Sequence, residues 1–178
     1  ALFIRKSRFE IISHYSFWLG PRGGSFSFGW KFDIPRKVRF AKLRDKVTGL
    51  EFIFASSHFD NRKENKFPSA ALVNEFFSNY NVPVIFAADT NIRPSMDAYH
   101  VLMNNLFDDT FHAVDQATYL ANTSYDVHDA CNKSKAKTFP ECRVDHIMIS
   151  KDAPFKVLDW AVDVYRYGKR KVFASDHR

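Results

Sequence analysis

Hydrophobic and polar residues alternate loosely from Leu2 to Trp18, a rhythm that predicts one or two strands ending at Phe17-Trp18-Leu19. Gly20 to Gly29 then holds four of the six glycines together with Pro21, which predicts a loop. Alternation returns over Val38–Leu43 and Leu50–Ser56, two strands joined by a hairpin around Lys46-Val47-Thr48-Gly49, with His58 at the end of the second. Asn61–Phe67 is polar and loop-like. Pro68 and Ser69 can open a helix, because Ala70, Ala71, Val73, Phe76, Phe77 and Tyr80 follow at helical spacing.

Pro83–Ala88 is an unbroken apolar run of the buried-strand kind, and Asp89 and Asn91 stand at its end. Ser95 and Asp97 can cap a short helix running through Leu102. Residues 108–142 are the least regular part, rich in Asp, Asn, Thr, Lys and Ser, and such stretches often carry substrate contacts or a lid. Val144–Ile149 and Phe155–Tyr165 read as strands again. Strands and helices alternate with no repeat, linker or second-domain boundary, which predicts one α/β layered domain.

Four polar islands punctuate this pattern: Ser57-His58-Phe59-Asp60, Ala88-Asp89-Thr90-Asn91, Val144-Asp145-His146-Ile147 and Ser175-Asp176-His177. A strand ending in a polar side chain delivers it to the rim of a sheet, where sites are built. Asp, Asn and His are also the side chains of metal-assisted phosphoester hydrolysis. A lone Asp-x-Asn is more often a turn, and a lone strand-end histidine more often a packed one. The four islands taken together point to chemistry.

In their order the islands resemble the motifs of the endonuclease/exonuclease/phosphatase superfamily: a strand-end H-x-D, then G-D-x-N, a D-x-I strand and S-D-H. Phe17-Trp18-Leu19, Gly29-Trp30 and Ile34-Pro35-Arg36 read like the same group, so the resemblance covers nearly the whole chain. It implies a four-layer α-β-β-α sandwich of two mixed sheets and one domain over residues 1–178. It also implies a Mg²⁺- or Mn²⁺-dependent phosphodiesterase, with a non-catalytic phosphate-binding member of the group as the alternative. Asp89 would act on the attacking water, and Asn91 would hold the water or the phosphate. His177, fixed by Asp145, would stabilise the charged phosphorus centre. His58 would contact a phosphate oxygen or protonate the leaving group, Arg36 would touch the phosphate, and Asp176 would be the metal carboxylate.

Two departures stand out. The glycine of G-D-x-N is Ala88 here, although both functional side chains remain. The early Asn and metal-binding Glu of the family, borne on strands preceding the first motif, have no counterpart, so the reading implies an internal fragment truncated at both ends and inactive by itself. Asp60, two residues beyond His58, is expected on the same strand face. His146 should point away from Asp145 and pack. His14, His100, His112 and His128 match no motif.

Composition refines this picture in a few places. The 178 residues are 46% hydrophobic, enough for one sizeable core, and the nineteen phenylalanines are expected to fill it. A formal charge of +6 suits an anionic partner, and favours nucleic acid over a phospholipid headgroup as the substrate of an expected monomer. No apolar run is long enough to span a bilayer. Cys131 and Cys142 are the only cysteines. A disulfide closing their loop would contribute roughly 2–3 kcal/mol and imply a secreted or periplasmic protein, whereas two separate buried thiols fit the cytoplasm. Without a C-x-x-C pair or ligand-spaced histidines, zinc is disfavoured.

Overall fold

A computed structural model describes residues 1–22, 24–114, 141–161 and 166–169. Its strands are β1 (Phe9–Trp18), β2 (Lys37–Asp45), β3 (Glu51–His58), β4 (Val84–Asp89), β5 (Phe107–Asp109) and β6 (Asp145–Ser150). Two α-helices, α1 (Lys63–Ser78) and α2 (Asp97–Asn105), and a 3-10 turn at Thr110–Ala113 complete the described elements. The strands form one mixed sheet in the order β1-β2-β3-β4-β6-β5. Of these pairings β3–β4 is parallel, with α1 in the connection, and the rest are antiparallel. The expected α/β class is therefore present. Of the two sheets expected, the described residues supply one.

Alternation along the central strands sets the layers. Val38, Phe40, Ile53, Ala55, Val84, Phe86, Ala88 and Met148 point to one face and are buried beneath the helices with Val73, Phe77 and Leu102. Phe77 lies in the middle of this layer, edge-on to Phe40 and Phe107, and is fully buried. Truncating such a residue to alanine costs about 3–5 kcal/mol. The opposite face carries a smaller apolar cluster of Ala41, Leu43 and Phe52, flanked by Leu2, Ile4, Phe9, Phe54, Ile85 and Phe155. Toward the carboxyl ends of β3 and β4, that second face turns polar.

The helix begins five residues earlier than its apolar spacing suggests, and Pro68 lies inside it. Proline lacks the N–H that would bond the carbonyl four residues back, so it is a poor interior residue. Tertiary contacts outweigh this cost. Asn65 and Lys66 are buried, and the Asn65 amide is clamped by the Lys31 N–H (2.6 Å), the Lys31 carbonyl (2.8 Å) and Asp60 (2.6 Å). The polar segment taken for a loop is thus the anchored first turn of α1. Phe155–Ala161 also departs from expectation, since it forms no strand although Phe155 packs edge-on against Phe52. Within the irregular stretch, β5 and the 3-10 turn are formed, while 115–140 lie outside the described residues.

Candidate active site

His58 closes β3 and Asp89 closes β4, and the parallel register places them side by side. The antiparallel register of the next strand places Asp145 directly across from Asp89. Three neighbouring strands therefore present His58, Asp89 and Asp145 in one row on the face away from the helices. The His58 Nε2 lies 3.2 Å from Asp89 Oδ2, with the histidine side chain 54% exposed and the aspartate 14%. Opposed carboxylates repel across a ladder pair. A neighbouring imidazole offsets part of that repulsion whenever it is protonated.

Asn91 follows in a left-handed conformation (φ 53°), which asparagine tolerates better than most residues. Its N–H donates to Asp89 Oδ1 (2.9 Å), and its side-chain amide donates to the Phe59 carbonyl (3.1 Å). The Phe59 N–H in turn donates to the Asp89 carbonyl (2.8 Å). The ends of β3 and β4 are thus laced together just beyond the sheet. On the other side, the Thr90 N–H and hydroxyl both reach the Val144 carbonyl at 2.9 Å, tying the same turn to the start of β6. Asp89 accordingly fills two roles: one oxygen closes a turn and the other faces His58.

Arg36 is the residue expected to touch a phosphate. It lines a cavity of about 520 Å³ with Pro35, Lys37, Arg39, Ser57 and His58. Its Nε is buried and has no hydrogen-bond partner among the described residues. A buried donor left unsatisfied costs about 1–3 kcal/mol. A second cavity, of about 590 Å³, opens on the other side of Asp89, between Ala87, Asp145, Ile147 and the segment Val157–Ala161.

Asp60 corrects an expectation. The strand stops at His58, and Asp60 turns inward to 4% exposure, accepting the Arg62 N–H (3.0 Å) and the Asn65 amide. It anchors α1 and does not share the His58 face. His146 behaves as its strand parity demands: it is buried on the helix side, with Nε2 2.9 Å from the Ile92 carbonyl and Nδ1 3.3 Å from Asp109. Asp176 and His177 lie outside the described residues, as does Cys131, the expected partner of the buried Cys142.

Lys66 was not singled out by the sequence pattern, yet it lies beneath the row. Its Nζ donates to the Asn91 carbonyl at 2.5 Å, and the residue is 8% exposed. Burial pushes its ammonium below the usual lysine range and Arg93 adds to this, while Asp89 and Asp60 oppose the shift. A signal was present. Once α1 is started at Lys63, Lys66 falls on the same stripe as Ala70, Val73 and Phe77, where a cation is out of place unless it meets a polar partner.

A buried polar network supports the site from the helix side. Asp109 accepts the Tyr99 hydroxyl (2.8 Å), Arg143 (3.0 Å) and the Phe111 N–H (3.0 Å), with His146 beside it. Burial alone would raise the Asp109 carboxyl, but His146, Arg143 and the Phe111 N–H outweigh it and hold the group well below the usual carboxylate range. Burial and then Asp109 push the Tyr99 phenol above its ordinary value. Arg143 also lies over the Phe111 ring, 3.9 Å from its centroid. Because Asp145 and His146 are adjacent, this network fixes the strand that carries Asp145.

No protein-family model matches the chain, and no curated protein matches its sequence. Solved structures do. A mannosyl-6-phosphatase from Bacteroides thetaiotaomicron superposes with a TM-score of 0.67 at 26% identity, covering 83% of this chain and 55% of that one. An endonuclease/exonuclease/phosphatase family protein from the same organism gives 0.67 and 26%, with 83% and 53% covered. A zebrafish (D. rerio) TDP2 complexed with single strand DNA product gives 0.67 at 21%, with 98% and 67% covered, and shows the shared fold. The chain spans about half the length of the two bacterial structures.

Proposed function

Because this chain belongs to the endonuclease/exonuclease/phosphatase superfamily, we propose that the protein hydrolyses phosphoester bonds, and phosphodiesters of nucleic acid in particular. The observation that carries the reading is the row His58, Asp89, Asp145, with His58 and Asp89 in contact at 3.2 Å and the cationic Arg36 cavity alongside. Water attack on phosphorus needs a group that takes or orients the water's proton, and cations that receive the charge developing on the phosphate oxygens. Asp89 fills the first need. Its Oδ1 is held by the Asn91 N–H, so the carboxylate plane is fixed before substrate arrives. Arg36 fills the second from the cavity side, where His58 would contact a phosphate oxygen or protonate the leaving group. By motif, His177 would pair with Asp145, and Asp176 would be the metal carboxylate.

The fold family also implies a divalent metal. Among the described residues no group of three acidic, histidine or cysteine side chains could hold a metal ion, so these residues alone do not fit one. Asp176 remains the proposed metal carboxylate for Mg²⁺ or Mn²⁺, which favour hard oxygen donors.

A nucleic-acid substrate is supported by the +6 charge and by Arg36, Lys37 and Arg39 lining one cavity with His58. The test is a substrate panel with Mg²⁺ on the full-length protein: bis(p-nitrophenyl) phosphate, single-stranded DNA, RNA and sphingomyelin vesicles, each with wild type and Asp89→Asn. Turnover of the diester and the nucleic acids that falls at least about 100-fold in Asp89→Asn is the expected result. Turnover equal in the two proteins would refute the role of Asp89. Activity on sphingomyelin alone would move the substrate to phospholipid.

A further inference from the structure

Nineteen phenylalanines suggested core packing throughout, but one group stands apart on the surface. Trp18 meets Phe26 edge-on at 4.9 Å between ring centroids, Phe26 meets Phe28 edge-on at 5.2 Å, and Phe28 meets Phe32 at 4.6 Å. Phe26 is 50% exposed and Phe32 72% exposed. A continuous file of rings thus runs along the surface, with Phe26 and Phe32 open to water and Trp18 and Phe28 half-buried between and beside them, and exposed apolar patches commonly mark binding surfaces. The file does not end at random. Lys37 Nζ sits 5.1 Å from the Trp18 ring centroid, and Lys37 lines the same cavity as Arg36, Arg39 and His58.

Aromatic faces beside a basic groove are what a single strand needs. Bases stack on rings whatever their identity, while phosphates track the cations. A duplex hides its base faces and would leave the rings unused. We propose that this aromatic file is a docking strip for single-stranded nucleic acid, leading the strand along Lys37 and Arg36 to His58 and Asp89. The inference rests on the phosphodiesterase reading for where the strand goes, and on the rings and cations for what is bound.

The test uses the full-length protein and measures binding in EDTA, so that cutting is suppressed. A labelled oligothymidylate and an abasic oligomer of equal length carry the same phosphates, but only the first has bases to stack. Wild type is expected to bind the oligothymidylate roughly tenfold or more tighter than the abasic strand, with quenching of tryptophan fluorescence. The Phe26→Ser/Phe32→Ser variant changes exposed side chains only; it should lose that preference, bind the abasic strand as before, and hydrolyse bis(p-nitrophenyl) phosphate at the wild-type rate. Equal binding of the two oligomers by wild type overturns the proposal without needing the variant. So does a variant whose only loss is binding to anionic phospholipid vesicles, or self-association. Hydrolysis of the small diester without base-dependent binding sinks the docking strip and leaves the phosphodiesterase reading standing. Base-dependent binding without any hydrolysis does the reverse.

Discussion

Replacing Asp109 with asparagine keeps the shape of the side chain and removes its charge, which isolates the electrostatic part of the network behind Asp145. The Asp109 side chain is 1% exposed and that of Arg143 5%, so the arginine would be left buried beside a neutral amide. Breaking a buried pair in this way costs about 3–5 kcal/mol, mainly because one charge loses its partner. For a chain of this length, each kcal/mol lowers Tm by roughly 2–4 °C, so a drop of about 6–20 °C is expected. Acid dependence adds a second readout. The folded carboxyl is held below its unfolded value, so its contribution is present above about pH 4 and is lost as pH falls below that toward the folded value. Urea titrations of wild type between pH 5 and 2 should therefore show a steeper loss than Asp109→Asn, by at most about 1.4 kcal/mol per pH unit for one proton. A Tm change under about 2 °C, with parallel pH profiles, would refute the assignment of this network as a buttress.

In the full-length protein, Asp89→Ala and His177→Ala should each lower kcat at least about 100-fold with far-ultraviolet circular dichroism unchanged. Arg36→Ala should raise KM on DNA and flatten its salt dependence while kcat changes less, as steady-state kinetics at several ionic strengths would show. EDTA should abolish hydrolysis and added Mg²⁺ restore it; full activity in chelator would contradict the proposed metal. Gly29→Ala would place a Cβ 2.4 Å from the Asn65 amide nitrogen, and should destabilise the protein by about 1–3 kcal/mol in chemical denaturation by displacing that clamp.

The parts of the site that sequence made legible share one physical property. His58, Asp89 and Asp145 sit at the ends of apolar runs, so strand periodicity alone assigns them to a rim. The parity of β6 likewise separates Asp145 from His146 without any knowledge of tertiary contacts. What stayed hidden depends on partners distant in sequence. The early start of α1 is stabilised by Asn65 reaching Lys31, 34 residues away, which no local propensity encodes. The Asp109 network joins α2, β5 and β6 across intervals of 10 to 37 residues. The ring file is illegible for another reason: phenylalanine on a surface and phenylalanine in a core are spelled alike.

The parallel pairing of β3 with β4 has a consequence for fidelity. Because side chains alternate, sliding β4 by one residue would turn Asp89 into the helix-side core and bring Ala88 out to face His58. The same slip would expel Val84 and Phe86, both buried to 1% or less. Misplacing the proposed base therefore also loses the packing of two core side chains, on the order of 1.5–3 kcal/mol each, and buries a carboxylate. Selection for a stable core is at once proofreading of the site. Any substitution that leaves this core intact also leaves intact the register that sets position 89 beside His58.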